Sequence, residues 1–600
     1  MGMKIKQVRL NFVEIFRLSG WSLKMLWRIS GKFTLGYVAT SIAQVAIELT
    51  QLWVAAMIVG KLGALMISQV PADGLVLLVG LSISLMALDK IAWNLLAHFE
   101  RKLYLSGSAS VYYDFNRQLA SLSIAQSNDT KIRQLIDRLT QEGYNWKTLN
   151  FGFYILYGLH ALVRFLGSCF ILLTQLPAIV LLLIVSTIPT LFIQRKSGDY
   201  GWGIWGEVGD KSRVFWGVSY LFQSRQALEE IKPQRSSGFL LDRAMRAINE
   251  YTQKSIVVRN RFFKLSIFGA IFEVVVSGLG YIWLVLKAVA GKISFDNFVF
   301  MSSLLWQTLS SIRLVATQLA DLLYAVPFMK DYVKFMELEN DLEMPDNPIK
   351  LGSEQLSIEF RNVSFSYPES KRRVLNNISF KIDPKEQLAI VGHNGSGKST
   401  LIRLLMRFYD PSEGEILVNG HNLKDIDLDA YYKHIGTLFQ EYNKYPLSFK
   451  DNIALEKMAD KTKFESVLDI ADANSVLNKL DDENVFLRPD FEDGVDLSGG
   501  EWQKVAIARN LYSGRDVFIM DEPTSSIDSL SEQKIFEKLY KELTGKMLIT
   551  ISHRFNTVKK AKNIIVLEKG RLVERGTHSE LMDKDGLYKE MFDAQAEGFR

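Results

Sequence analysis

The residues best suited to chemistry form one run, Gly392-His393-Asn394-Gly395-Ser396-Gly397-Lys398-Ser399, with Thr400 directly after it. The spacing G-x-x-x-x-G-K-S is that of a phosphate-cradling P-loop. Its glycines let the backbone approach phosphate oxygens, and the N–H groups of a helix start point at the anion. Lys398 can reach the β- and γ-phosphates, and Ser399 can hold Mg2+. A Gly-rich turn before an ordinary helix could use the same residues. The flanks favour nucleotide, because Gln387–Val391 is an apolar run of strand length and Ser399–Leu405 has helical character.

A second run supports the first. Val517-Phe518-Ile519-Met520-Asp521-Glu522 is a buried-type strand ending in two carboxylates. Beside a P-loop, Asp521 can hold Mg2+ through its water shell, and Glu522 can polarise an attacking water.

These residues need a scaffold, and from about residue 355 short strands alternate with helices: Leu356–Phe360, Ile378–Ile382, Leu388–Val391, then a helix. That alternation predicts an α/β nucleotide-binding domain over 355–600. An acidic, Pro-containing linker, 336–354, precedes it. The 600 residues exceed one core, and 48% apolar content beside 23% charge implies an apolar half and a polar half. The net charge of +5 does not call for nucleic acid. The single cysteine, Cys169, excludes an intrachain disulfide and a multi-cysteine metal site.

Residues 1–335 read as an α-helical polytopic membrane domain. Residues 12–32 mix Trp21, Trp27, Phe16 and Leu18 with Arg17, Lys24 and Arg28, which suits a helix at the bilayer surface. No secretory signal peptide is expected at the N-terminus. Six apolar stretches follow, at about 34–60, 74–97, 151–175, 177–194, 264–289 and 297–323. Lys and Arg crowd 1–33, 98–150 and 195–263, whereas 61–73, 175–177 and 290–296 hold few. The positive-inside rule then places both termini in the cytoplasm. The two long basic connections have helical spacing and predict hairpins with tips near Ser127-Asn128-Asp129 and Phe222-Gln223-Ser224-Arg225.

Polar residues recur inside the spans. Tyr37, Ser41, Gln44, Glu48 and Gln51 make one stripe, and Ser303, Gln307, Ser310, Thr317, Gln318 and Asp321 another, with Asp89, Lys90, Arg164, Glu273 and Arg313 elsewhere. They suit either a water-filled cavity for amphipathic cargo or hydrogen bonds that glue the bundle.

With these motifs in order, 355–595 resembles the ATPase of ABC transporters. Leu497-Ser498-Gly499-Gly500-Glu501 is similar to the family's signature, with Glu501 where Gln is usual. The resemblance implies that Ser498, Gly499 and Gly500 close on the γ-phosphate of ATP held by an opposite subunit. It implies further that Tyr367 stacks on adenine and that Gln440 senses Mg2+ and water. Ser525-Ser526-Ile527-Asp528 looks like the loop that crosses the dimer interface, and His553 resembles the histidine at the γ-phosphate. Phe491 stands where many family exporters carry Gly, just before Glu492 in the segment that faces the membrane hairpins.

Membrane domain first and ATPase second, on one chain, resembles the half-transporter exporters. The resemblance implies ATP and Mg2+ as cofactors, and Glu522, His553, Gln440 and Lys398 as the catalytic set. It also implies a homodimer with two ATP sites, a heterodimer being the variant. The expected setting is a bacterial inner membrane, with lipid, peptide or drug-like cargo. A soluble ABC-type ATPase is disfavoured by the spans. An importer on the same fold and an ATP-gated channel stay open. Self-processing peptide export is not expected, since the first span begins within about 33 residues.

Overall fold

The structure, a computed structural model, describes residues 12–68, 74–175, 177–352, 354–368, 370, 372–455, 460–523, 527–552 and 554–597. The chain forms two compact units. One spans Met1–Leu122 and Ser127–Glu339; the other spans Asn340–Arg600 together with Ser123–Gln126.

The first unit is helical: α1 (Phe12–Ser68), α2 (Leu75–Ser121), α3 (Ile124–Asn128), α4 (Thr130–Gln141), α5 (Tyr144–Gln175), α6 (Pro177–Gln223), α7 (Arg225–Ile231), α8 (Ser237–Val289) and α9 (Phe295–Met336). The backbone of α1 breaks at Ser30 (φ −162°, ψ 97°), which separates the expected surface helix from the first span. The helix before that break buries Leu18, Met25 and Leu26 and leaves Val13, Phe16 and Trp27 exposed. It therefore packs on protein by one face and offers an apolar edge by another.

Among the described residues, five helices are long and apolar enough to cross a membrane: those holding Val13–Met66, Leu75–Ser121, Tyr144–Leu173, Ser237–Val289 and Phe295–Met336. The expected fourth span lies in α6, whose described apolar run, Val180–Pro189, is shorter than a span. The 47 residues of α2 reach about 70 Å, against a hydrocarbon core of about 30 Å. The excess carries the hairpins out of the bilayer. The first hairpin turns through α3, with Asp129 capping α4 through Lys131 and Ile132 N–H. The second turns through α7, capped by Ser224. Short polar caps end long helices here, because Asp and Ser satisfy the free N–H groups of the next helix.

The second half of α2 contributes a ladder to the core of the bundle. Leu103, Gly107, Val111 and Phe115 recur every fourth residue on α2 and are buried. A Cβ on Gly107 would stand 2.6 Å from Leu149 Cδ2, so glycine sets the close approach of α2 and α5. The ring of Phe115 lies 3.8 Å from Tyr144 and 4.6 Å from Phe335, centroid to centroid.

The second unit carries two sheets. Strands β1 (Ile358–Ser366), β2 (Arg373–Ile382), β4 (Glu413–Val418) and β5 (His421–Asn422) form an antiparallel sheet in the order β2-β1-β4-β5. Strands β3 (Gln387–Val391), β6 (Ile435–Leu438), β7 (Val517–Asp521), β8 (Met547–Ile551), β9 (Asn563–Glu568) and β10 (Arg571–Gly576) form the second, in the order β10-β9-β3-β8-β7-β6. All but the β10–β9 pair are parallel there. The parallel strands β3, β7 and β8 are buried at every residue, as strands covered on both faces must be. Residues 340–350 are fastened rather than loose: Arg407, almost fully buried, donates to Glu343 O (2.7 Å), and Ile349 bridges to Ile426. Ser123 donates to Asp341 in the same unit, and Ala125 packs on its core.

Candidate active site

Strand register assembles the site. Ile390 of β3 and Asp521 of β7 both pair with Ile551 of β8, so the three strands end level. Leu438 of β6 pairs with Met520, so Gln440 and Glu522, each two residues further on, leave the sheet at the same height. The carboxyl end of a parallel sheet is where ligands of such folds bind.

At that edge the P-loop leaves β3 and enters the helix Lys398–Leu405. Gly392 (φ 150°) and Gly397 (φ 107°) have backbone conformations that side chains rarely adopt. A Cβ on Gly392 would meet Leu567 O at 2.2 Å, and one on Gly397 would meet Leu375 Cδ2 at 2.6 Å. A Cβ on Gly395, by contrast, would meet nothing within 4 Å, although its φ of 78° is also left-handed. The Ser396 hydroxyl is buried and has no hydrogen-bond partner among the described residues. An orphaned hydroxyl in a glycine-formed cradle fits phosphate oxygens. The ammonium of Lys398 donates to Gly392 O (2.8 Å) and His393 O (3.1 Å). Burial pushes it below the ordinary lysine value, while Glu522 and Asp521 act the other way. His393, Asn394 and Ser399 are exposed.

The two acids divide the work by environment. Burial pushes Asp521 above the ordinary carboxylate range, and Glu522 adds to it. The Ser399 hydroxyl, Lys398 and Arg403 oppose. Ser399 and Asp521 are therefore in contact. A hydroxyl and a single carboxylate suit Mg2+, which keeps several waters and takes its other ligands from substrate phosphates. Glu522 holds a left-handed backbone (φ 48°), fixed by its N–H on Ile551 O (2.9 Å). Gln440 Nε2 donates to Glu522 Oε2 (3.0 Å). A strained, hydrogen-bonded acid at a sheet edge is a common mark of a working residue.

The signature run starts the helix Gly499–Tyr512. Ser498 is its N-cap: Ser498 Oγ accepts from Glu501 N (3.4 Å), and Ser498 N donates to Glu501 Oε2 (2.8 Å). Lys479 pairs with Glu501 Oε1 (2.9 Å). Partial burial works against the charge of Glu501, yet Lys479 and Ser498 hold its carboxyl below the ordinary range. The acid therefore serves the capping box instead of standing loose by the site. Its contribution is complete above the ordinary carboxylate range and is lost as pH falls through the depressed value. Glu501→Gln keeps both capping bonds, so thermal melting of the purified protein should shift by less than about 0.5 kcal/mol equivalent. Glu501→Ala, which keeps neither side-chain bond, should cost about 1 kcal/mol. A larger loss for Gln than for Ala would refute the capping role.

The other expected residues fall as follows. The Tyr367 hydroxyl shares a hydrogen bond with Thr400 Oγ1 (3.0 Å) and accepts one from Arg403 (3.0 Å). Tyr367 is thereby fastened to the P-loop helix, its ring edge-on to Phe365 and Tyr409. Asp528 is exposed and accepts from Ser531 N (2.9 Å), at the start of the helix Ser529–Glu542. His553, Ser525 and Ser526 lie outside the described residues. Phe491 stacks on Phe486 (4.5 Å). Sequence reasoning missed Arg403, one turn after Ser399, and Tyr442, two residues after Gln440; helical spacing and adjacency to a motif were the available signals.

In the helical unit the polar residues mostly find one another. Arg164 pairs with Glu48 (2.8 Å), Gln307 donates to Glu48 (3.2 Å), Gln44 donates to Asp89 (3.2 Å), and Ser41 bonds His160 (2.7 Å). Arg313 pairs with Glu273 (3.1 Å). These contacts join α1, α2, α5, α8 and α9, so interhelical bonding accounts for this part of the set. Elsewhere in the unit, α1, α5, α6 and α9 line an open apolar cavity of about 790 Å3, with side chains such as Phe16, Leu162, Phe192 and Leu319 on its walls. Its few polar lining groups include Tyr154 and Gln318.

Comparison with known proteins bears on the family and the fold. A family model described as ABC transporter matches residues 375–525. The chain is 29% identical over 504 residues to the subtilin transport ATP-binding protein SpaT of Bacillus subtilis, covering 83% of this chain and 81% of that one. It is 25% identical over 505 residues to the nisin transport ATP-binding protein NisT of Lactococcus lactis subsp. lactis, covering 82% and 83%. An ATP-dependent lipid A-core flippase of Alkalilimnicola ehrlichii is 40% identical over 243 residues, 40% of this chain and 41% of that one. Among solved structures, a bacterial Atm1-family exporter with ATP bound superposes with a TM-score of 0.82 at 22% identity, covering 93% and 99%.

Proposed function

This chain is an ABC transporter with the fold of an exporter, and we propose that two copies of it clasp ATP between them to drive amphipathic cargo out of the cytoplasm. It is an integral membrane protein whose ATP hydrolysis is coupled to transport. The membrane domain is assigned to 1–335, the linker to 336–354 and the ATPase to 355–600. The setting is an inner membrane with the ATPase in the cytoplasm. The observation that carries the cargo class is the cavity among α1, α5, α6 and α9. Its volume is that of a small-molecule site, its walls are hydrocarbon, and Gln318 carries a buried carbonyl oxygen with no partner among the described residues. Such a site takes a molecule with a large apolar part and a polar group. Relatives whose names refer to subtilin, nisin and lipid A-core agree with that class.

The residues act as follows. Gly392–Ser399 hold the phosphates, Lys398 bringing the positive charge. Tyr367 offers its ring to the base. Ser399, Asp521 and Gln440 would hold Mg2+, which when bound neutralises phosphate charge. Glu522 takes a proton from the attacking water, held in place by Gln440. His553 serves the γ-phosphate. Ser498, Gly499 and Gly500 of one copy complete the site of the other, with Asp528 at the boundary between copies. Closure then reaches the spans through the hairpin tips at α3 and α7. Catalysis of this kind is positioning and charge stabilisation.

The test is ATPase stimulation in proteoliposomes by a panel of amphipathic peptides, lipids and drug-like compounds. Matched accumulation in inverted vesicles gives the direction. Stimulation with ATP-dependent accumulation is expected. Stimulation only by small hydrophilic solutes would refute the cargo class, and accumulation only in right-side-out vesicles would favour import.

A further inference from the structure

The loop after β6 makes two contacts, two residues apart. Gln440 donates to Glu522, and the Tyr442 hydroxyl donates to the backbone oxygen of Gly499 (2.8 Å). The next three residues are fastened to the same signature helix. The Lys444 ammonium lies 5.8 Å from the ring of buried Trp502, Arg509 donates to Asn443 O (3.0 Å), and the Arg509 guanidinium lies 4.4 Å from the Tyr445 ring. One short segment thus runs from the hydrolytic acid to the first, second and third turns of the helix Gly499–Tyr512.

Peptide geometry gives the hydroxyl its leverage. The Gly499–Gly500 bond is planar and trans, so the carbonyl of Gly499 and the N–H of Gly500 point in opposite directions. Fixing one fixes the other. The peptide lies in the first turn of the helix, and glycine on both sides leaves no side chain to steady it there. A carbonyl that accepts a second hydrogen bond also polarises its amide and strengthens the N–H as a donor.

We propose that Tyr442 is a positioning residue that aims the Gly500 N–H. By sharing a loop with Gln440, it makes the acid of one ATP site and the phosphate-facing amide offered to the other copy's site move together. Each site then reports its state to its neighbour through six residues, Gln440 to Tyr445, without passing through the membrane unit. The inference rests on the paired-site reading above.

The test compares full-length wild type with Tyr442→Phe, purified and reconstituted. The ring, which packs beside the buried cluster around Trp502, is kept, and only the hydroxyl is lost. The ATPase rate is measured against ATP concentration, with binding of a fluorescent ATP analogue and thermal melting alongside. In Tyr442→Phe the Hill coefficient should fall toward 1 and the maximal rate by about fivefold, the size of one hydrogen bond. Analogue affinity and melting temperature should stay as in wild type. A cooperative wild type matched by an equally cooperative Tyr442→Phe would overturn the proposal alone. So would a variant that melts lower yet keeps its Hill coefficient, since that is a packing role. A wild type with a Hill coefficient of 1 and no ATP-dependent dimer removes the paired-site reading, and the proposal with it.

Discussion

Glu522→Gln should lower ATP turnover by about 10²–10⁴-fold, the usual worth of a general base, while ATP binding persists. The glutamine side chain has the same shape, so the contact with Gln440, the Ile551 hydrogen bond and the left-handed backbone at φ 48° are all retained. What disappears is the negative charge and the ability to take a proton from water. Removing that charge also relieves Asp521, whose carboxyl Glu522 helps to raise, and removes one of the two acids facing Lys398. The phosphate cradle is therefore left as good as before or better. In the paired-site scheme the two copies then stay closed on uncleaved ATP. Phosphate release assays and size-exclusion with ATP check both halves of the expectation. Turnover within tenfold of wild type would show that Glu522 is not the base. Loss of ATP binding would show that it shapes the pocket instead.

Lys398→Ala should act at the earlier step. The ammonium is buried, with only 7% of the residue exposed, and donates to two loop carbonyls. Burial disfavours its charge, so it is a cation held at a cost until a polyanion faces it. Charge-assisted hydrogen bonds are worth about 1.5–3 kcal/mol each. ATP affinity should fall by about ten- to a hundredfold, with transport and turnover lost together. The loop itself should persist, because Gly392 and Gly397 set its course through backbone conformation and close contacts with Leu567 and Leu375. Titration with a fluorescent ATP analogue measures the loss. An unchanged affinity would mean that the lysine serves the loop and not the nucleotide. The pair of variants separates roles: Glu522→Gln binds without turning over, whereas Lys398→Ala scarcely binds.

Local residue type determined much of this protein. The P-loop, the paired acids after β7 and the signature run are read from adjacent residues, because each uses backbone N–H groups or side chains within one turn of chain. The breaks at the hairpin tips were legible for the same reason: Asp129 and Ser224 are good caps, and a cap acts on the next three residues. Long apolar helices announce themselves by composition, and the stretch 177–194 at the start of α6 carries no charge at all.

What sequence left open depends on approach between distant segments. That Gln440 meets Glu522 follows from the register of β6 on β7, which no local pattern encodes. That Glu501 serves the capping box and pairs with Lys479, 22 residues away, decides that the departure from the usual Gln is structural and not a stray charge. The intramembrane acids and bases read equally well as a cavity or as glue. Tertiary packing turned Glu48, Arg164 and Gln307 into a bonded set and put an apolar cavity elsewhere, beside Gln318. Burial, register and pairing are properties of the folded neighbourhood, and only the folded chain brings those neighbours together.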